Sequence, residues 1–409
     1  MKKVINLFIF FTAFPCLKIF GISVTFFIFI FIFINFKIQY INPLKSKLFA
    51  PILIGATISA FLSFFIEEIS HPGIGSTGKI MIQYFYWLSV AAFFRHYYIF
   101  LNVNEICKYF FFGLACSIIG FFFIRINLSI GLASISTTIS RNGFVFDFLA
   151  SFPFAIFYIY NHRLLKKFTL IFMLISFFLM SMSSGRSGFI ILLIEILGSC
   201  YLFYPYYRNL FRKLLIPAGL FFLLLLSSTK IEFIDELAYK IEPYNTRVSQ
   251  LIRQEGEGNW AYDKSLMLRL LMTKKAIEIF KLHPVFGIGP NMFTSYDSEL
   301  SALSKYSRLS NYSDDYYNTR STHGSYYQVL AEFGFFVFVF IIIILFVPLI
   351  YLFKTLFNNQ MHVNSIFLIS LLGISLHFIA ISALTGTIPW VVIGIAWNVY
   401  DNNRLKLNT

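Results

Sequence analysis

Charge is scarce in this chain. Of its 409 residues only 13% are Asp, Glu, Lys or Arg, against 58% hydrophobic. Mean hydropathy is +0.73. Long apolar stretches recur along the whole length, which excludes a set of soluble domains and implies a polytopic membrane protein. Cysteine is equally thin. Cys16, Cys107, Cys116 and Cys200 fall in or beside apolar runs without metal-ligand spacing, so they read as small apolar fillers. No D-x-D-like carboxylate pair suits a divalent ion, since Asp314 and Asp315 are simply adjacent; neither a metal nor a cofactor is expected. Gly287 and Gly289 form a G-x-G with no third glycine and no preceding strand, which excludes a nucleotide fingerprint. There is no internal repeat and no strand pattern.

What is abundant is phenylalanine, with 54 residues, and positive charge, with a net of +14. The basic residues sit mostly in short loops between apolar spans. That is a topology signal, so nucleic acid is rejected as a partner.

On a template of roughly 20 apolar residues per crossing, twelve spans are expected: 4–17, 19–36, 48–66, 80–94, 106–124, 144–160, 167–182, 188–204, 212–228, 326–353, 363–383 and 386–400. The opening MKKVINLFIFFTAFPC has the basic start and apolar core of a signal peptide. Phe14 and Pro15 make a poor processing site before Cys16, so it reads as an uncleaved first helix. With the N-terminus inside, short inside loops hold sixteen Lys and Arg and short outside loops hold five. The asymmetry puts both termini in the cytoplasm.

Three parts follow: helices over 1–228, a polar loop over 229–325 on the outside, and helices with a short tail over 326–409. The loop holds twelve basic and twelve acidic residues, and a long translocated segment escapes the charge rule. Apolar spacing predicts helices at 231–241 and 264–282, the second ended by His283 and Pro284. They are expected to lie on the membrane surface, over the outer ends of the spans. Pro290 suits the first turn of a further helix, and the tip 301–320 reads as mobile.

Several polar residues stand where a membrane tolerates them poorly. Arg186, in SSGRSGF, lies between two apolar runs at their outer ends. An interfacial snorkelling role competes with an anion site made from its guanidinium and a helix N-terminus. Arg141 ends another outside loop and is a weaker anion contact. Arg247 and Arg269 stand out in the large loop. Arg269, within LMLRLLM, is either a solvated face of a helix or a guanidinium aimed at the same place as Arg186. Gly287 and Gly289, in HPVFGIGPNMF, permit tight turns and are candidate substrate-binding positions. His323 stands at an outside helix start among Thr322, Gly324 and Ser325, with Tyr326 and Tyr327 following. Glu332, nine residues on, is assigned to packing. Glu195 and Asp147 fall inside spans, and Glu195 implies an unnamed partner. His377 reads as mid-span.

SSGRSGFIILL, the Arg269 helix running into HPVFGIGPNMF, and STHGSYYQVLAEFGFFVF occur in that order. Together they resemble the O-antigen ligase and O-antigen polymerase superfamily of bacterial envelope glycosyltransferases. The motif similarity covers about 180–340, and the span layout extends it. The resemblance implies a metal-independent, inverting transfer at the periplasmic face of the inner membrane, from a glycan on undecaprenyl diphosphate. It assigns Arg186 and Arg269 to the diphosphate, Arg247 more weakly, and His323 to the acceptor hydroxyl. Gly324 stands where family members often have Asn or Ser. A polymerase is taken first, with a chain-length regulator as a possible partner. A ligase would instead use lipid A-core as acceptor. Capsule or another surface polysaccharide stays open as the product. A lipid-linked oligosaccharide flippase is the rival of another class, and the lack of two similar halves speaks against it.

Overall fold

The computed structural model describes residues 2–14, 18–19, 22–36, 41–67, 69, 74–97, 102–129, 141–162, 165–182, 186–203, 264–296, 322, 324–357, 365–380, 384 and 386–407. Among these are twelve α-helices: α1 Lys2–Ala13, α2 Val24–Asn35, α3 Ala50–Leu62, α4 Ile74–Tyr97, α5 Val103–Ser129, α6 Arg141–Asn161, α7 Thr169–Met182, α8 Arg186–Phe203, α9 Lys264–Leu282, α10 Ser325–Phe357, α11 Ser365–Ala380 and α12 Thr387–Leu407. The chain is an all-α membrane protein. By length and composition Val103–Gly120, Phe144–Asn161 and Ser325–Tyr351 can cross a bilayer, and Val24–Asn35, Ala50–Phe65, Ile190–Phe203 and Ile366–Ile379 are shorter apolar helices. A helix occupies eleven of the twelve expected spans. The twelfth, 212–228, lies outside the described residues, as do the expected helix at 231–241 and the tip at 301–320. Strand pairing among the described residues is minimal: Lys18–Ile19 against Ile22–Ser23, and a single bridge from Ile69 to Tyr296.

The helices form one bundle with a continuous aromatic-rich core. α4 packs along α12, α5 joins α1 to α6, and α11 lies between α6, α8 and α10. Two close approaches fix directions. Tyr86 of α4 meets Thr387 of α12 at one end, and Arg95 meets Asp401 at the other, so these helices run parallel. Gly373 of α11 lies against Glu195 of α8 and Gly198 of α8 against Ile369, so α8 and α11 are antiparallel. The starts of α6, α8, α10 and α12 therefore share one end of the bundle with the finish of α11. We call this the cap end, because α9 and the segment after it pack there against α10.

The cap has its own small core. Met272, Ala276 and Ile279 of α9 pack with Ile288, Met292, Phe293 and Tyr296, against Ile69 and Ala331. α9 spans the range expected from its periodicity and ends at Leu282, just before His283 and Pro284.

Candidate functional site at the cap end

The cap is stitched to α10 through a break in that helix. Gly334 has φ 69° and ψ −169°, a conformation that interrupts the helix and that only glycine adopts freely. The break releases backbone groups that lipid cannot satisfy, so protein must. The 284–289 segment supplies the partners. Phe335 N–H donates to the Pro284 carbonyl at 2.8 Å and Phe336 N–H to Val285 at 3.3 Å; Ile288 N–H donates to Ala331 at 3.0 Å and Gly289 N–H to Glu332 at 2.8 Å. Gly287, with φ +67°, must pass the α10 backbone so closely that a Cβ would sit 2.4 Å from the Glu332 carbonyl carbon.

Glu332 anchors the same junction. It is 2% exposed. Its carboxylate accepts from Phe293 N–H at 3.4 Å, from Gln328 Nε2 at 3.1 Å and from the amide of Asn291. Its carbonyl also accepts from Ser59 Oγ of α3 at 2.6 Å. The expected helix after Pro290 does not form. Asn291 takes φ 63° and the chain continues in turns, because the amides of Asn291 and Phe293 bond Glu332 instead of propagating a helix. The amides of Gly287 and Gly289 are likewise spent, on His283 and Glu332. Gly287 faces α10, and Gly289 packs against Ser63, just past the end of α3. In this arrangement neither amide is left to donate to an anion.

The arginines are placed by the helices that carry them. Arg141 is the first residue of α6 and Arg186 the first of α8, so both open helices at the cap end. A helix N-terminus there favours negative charge. Arg269 lies on α9, half-buried. Its charge is within electrostatic reach of His377. Arg247 and His323 lie outside the described residues. The chain neighbours of His323 at the start of α10 are well held: Thr322, Gly324 and Ser325 are buried. A Cβ on Gly324 would meet the Ile379 carbonyl oxygen of α11 at 2.7 Å, which is a packing reason for glycine at this position. Tyr326 donates from its hydroxyl to the Ser375 carbonyl, again on α11, at 3.0 Å.

Sequence reasoning missed three participants. His377 belongs to the last turn of α11, at the cap end rather than mid-span. A lone ionisable residue in the apolar SLLGISLHFIA run was the available signal. Lys275 of α9 is fully buried, donates to the Tyr296 carbonyl at 2.8 Å and lies 5.1 Å from the centre of the Phe293 ring. Gly334 was hidden inside what reads as one apolar helix. Glu195, whose partner sequence reasoning left open, is fully buried against Gly373, and neither carboxylate oxygen has a hydrogen-bond partner among the described residues. No group of His, Cys, Asp and Glu suited to a metal ion occurs among the described residues.

The fold and this junction define a helical membrane protein with Arg141 and Arg186 opening helices at the capped end of its bundle and Arg269 on the cap helix. A family model described as O-antigen ligase matches residues 126–342, more than half of the chain. The chain therefore belongs to that family, which comprises O-antigen ligases and related polymerases, membrane enzymes of glycan transfer in lipopolysaccharide formation. In a comparison with curated proteins, nothing matches.

Proposed function

We propose that the chain is an inner-membrane glycosyltransferase whose cap end is periplasmic, and that it moves a glycan from undecaprenyl diphosphate onto an acceptor hydroxyl. The observation that carries this reading is the extent of the family match: residues 126–342 include Arg141, Arg186, Arg247, Arg269 and His323 together. The placement of Arg141 and Arg186 at helix starts on the cap end, with Arg269 on the cap itself, supports a shared anion site.

The chemistry balances without a cofactor. The acceptor oxygen forms a bond to C1 of the lipid-linked sugar with inversion, and the bond from C1 to the diphosphate oxygen breaks. Its electron pair leaves with the lipid diphosphate, and the hydroxyl proton goes to His323. Diphosphate is a good leaving group, and guanidinium groups in a partly dry site stabilise its growing charge. A histidine near its ordinary pKa of roughly 6.5 can take the proton.

The acceptor we propose first is a second lipid-linked repeat, which makes the chain a polymerase acting with a chain-length regulator. The wording of the matched family favours a second reading, transfer of finished chains to lipid A-core. Lipopolysaccharide gels from a deletion strain separate the two. A polymerase deletion leaves core bearing one repeat; a ligase deletion leaves bare core and accumulates lipid-linked glycan. Complementation with Arg186→Ala, Arg269→Ala or His323→Ala should fail while each variant still inserts. Normal glycan display from all three at native expression would refute the proposal.

A further inference from the structure

His377 is the part of the cap end that the transfer chemistry above leaves unused. It is 1% exposed, and neither ring nitrogen has a hydrogen-bond partner among the described residues. Burying a polar group without a partner is costly, so such groups are rare and call for an explanation. Other buried ring donors are treated differently: Trp390 Nε1–H reaches the Leu384 carbonyl at 2.8 Å and Trp397 Nε1–H the Ile344 carbonyl at 2.9 Å.

Three other elements converge on this imidazole or its helix turn. Phe146 of α6 packs against the ring at 5.3 Å. The start of α10 lies on the same stretch of α11, through Gly324 on the Ile379 carbonyl and Tyr326 on the Ser375 carbonyl. Arg269 brings positive charge to His377 from α9. Glu195 sits deeper on the same face of α11, against Gly373, and makes no bond to the imidazole. A neutral imidazole must carry one N–H donor. Among the described residues that donor is buried and unspent, at the end of the bundle where Arg141, Arg186 and Arg269 lie and beside the chain neighbour of the proposed base.

We infer that His377 is a further substrate-contacting residue: its N–H donates to a phosphate oxygen of the lipid diphosphate that Arg269 neutralises. The inference rests on the transfer reading and deepens it. One contact then comes from the cap and one from the bundle floor, which couples cap docking to leaving-group binding. The bond strengthens as the C1–oxygen bond breaks and the diphosphate gains charge, so its loss should lower kcat more than it raises KM.

The test uses the full chain purified in detergent, with His377→Phe and His377→Gln beside the unmodified protein. Two readouts are taken: transfer from undecaprenyl-diphosphate-linked glycan, and thermal stabilisation by farnesyl diphosphate, an isoprenyl diphosphate probe. His377→Phe should lower kcat by about 100- to 1000-fold, the range for removing one donor to a developing oxyanion, and should abolish the farnesyl diphosphate shift. His377→Gln keeps an N–H donor and should restore part of both. A histidine that only fills space predicts the opposite. Unchanged transfer and an unchanged farnesyl diphosphate shift in His377→Phe overturn the inference, and so does an equal loss in both variants with a lowered Tm in the absence of the probe. Should the unmodified protein fail to transfer glycan, the transfer reading falls, while the farnesyl diphosphate shift still decides whether His377 meets a diphosphate.

Discussion

At the far end of the bundle Arg95 of α4 meets Asp401 of α12 at 2.8 Å and lies 5.2 Å from the centre of the Trp397 ring. At the same end Lys2 lies 2.8 Å from Glu105. Toward the cap end, Glu195 and His377 are buried with every side-chain nitrogen or oxygen unpartnered among the described residues. Both regions place ionisable groups on apolar helices, yet among the described residues only one settles them with opposite charge. Partnered charges at a helix end hold neighbouring helices in register. Unpartnered ones lower stability, and they persist where a ligand or a reaction supplies the compensation.

The comparison can be broken by substitution. The largest effect is expected at the cap end: Arg269→Ala should reduce glycan transfer by about 100- to 1000-fold while insertion and Tm hold, as read by lipopolysaccharide ladders and fluorescence-detected chromatography. A ladder of normal length and intensity would contradict it. Gly334→Val comes next. It forces a β-branched residue into φ 69° and places a Cβ 2.4 Å from Val285 backbone, at a cost of several kcal/mol. The expected outcome is a strongly lowered Tm and proteolytic release of the cap, with bundle helices still inserted.

Smaller effects sharpen the contrast. Arg95→Ala should cost about 1 kcal/mol, as for a partly exposed pair, lowering Tm by a few degrees without touching transfer. A loss of transfer at unchanged Tm would mean that the far end is functional too. Glu195→Gln should leave Tm equal or slightly higher, because no partner among the described residues is lost and a buried carboxyl becomes a neutral amide of the same shape. A clear drop in Tm would reveal a partner for the carboxylate. Lys2→Ala should be the mildest, within about 0.5 kcal/mol, since this pair is solvent-exposed and screened.

Part of this arrangement is legible in the amino-acid pattern. The period of KSLMLRLLMTKKAIEIFKL marks α9 to the residue, and Pro284 marks its stop. The apolar runs locate eleven of the spans as helices. The break in α10 is not legible, because AEFGFFVF reads as uninterrupted apolar helix and a single glycine seldom ends one. Nor are the destinations of the Gly287 and Gly289 amides. A G-x-G permits a turn, but whether its N–H groups meet a ligand or the carbonyls of His283 and Glu332 depends on what lies alongside.

By itself the sequence determined the membrane class, the positions of eleven spans and of α9, and the order of three motifs that place the chain in its family. Those properties follow from hydropathy and local periodicity, which act within one span. Only the tertiary structure decided that Glu332 ties the cap to the bundle, that Gly324 is required by the Ile379 carbonyl, and that His377 stands at the cap end, where the charge of Arg269 is felt. Those depend on contacts between residues tens to hundreds of positions apart, set by how helices pack side by side, and no local pattern encodes them.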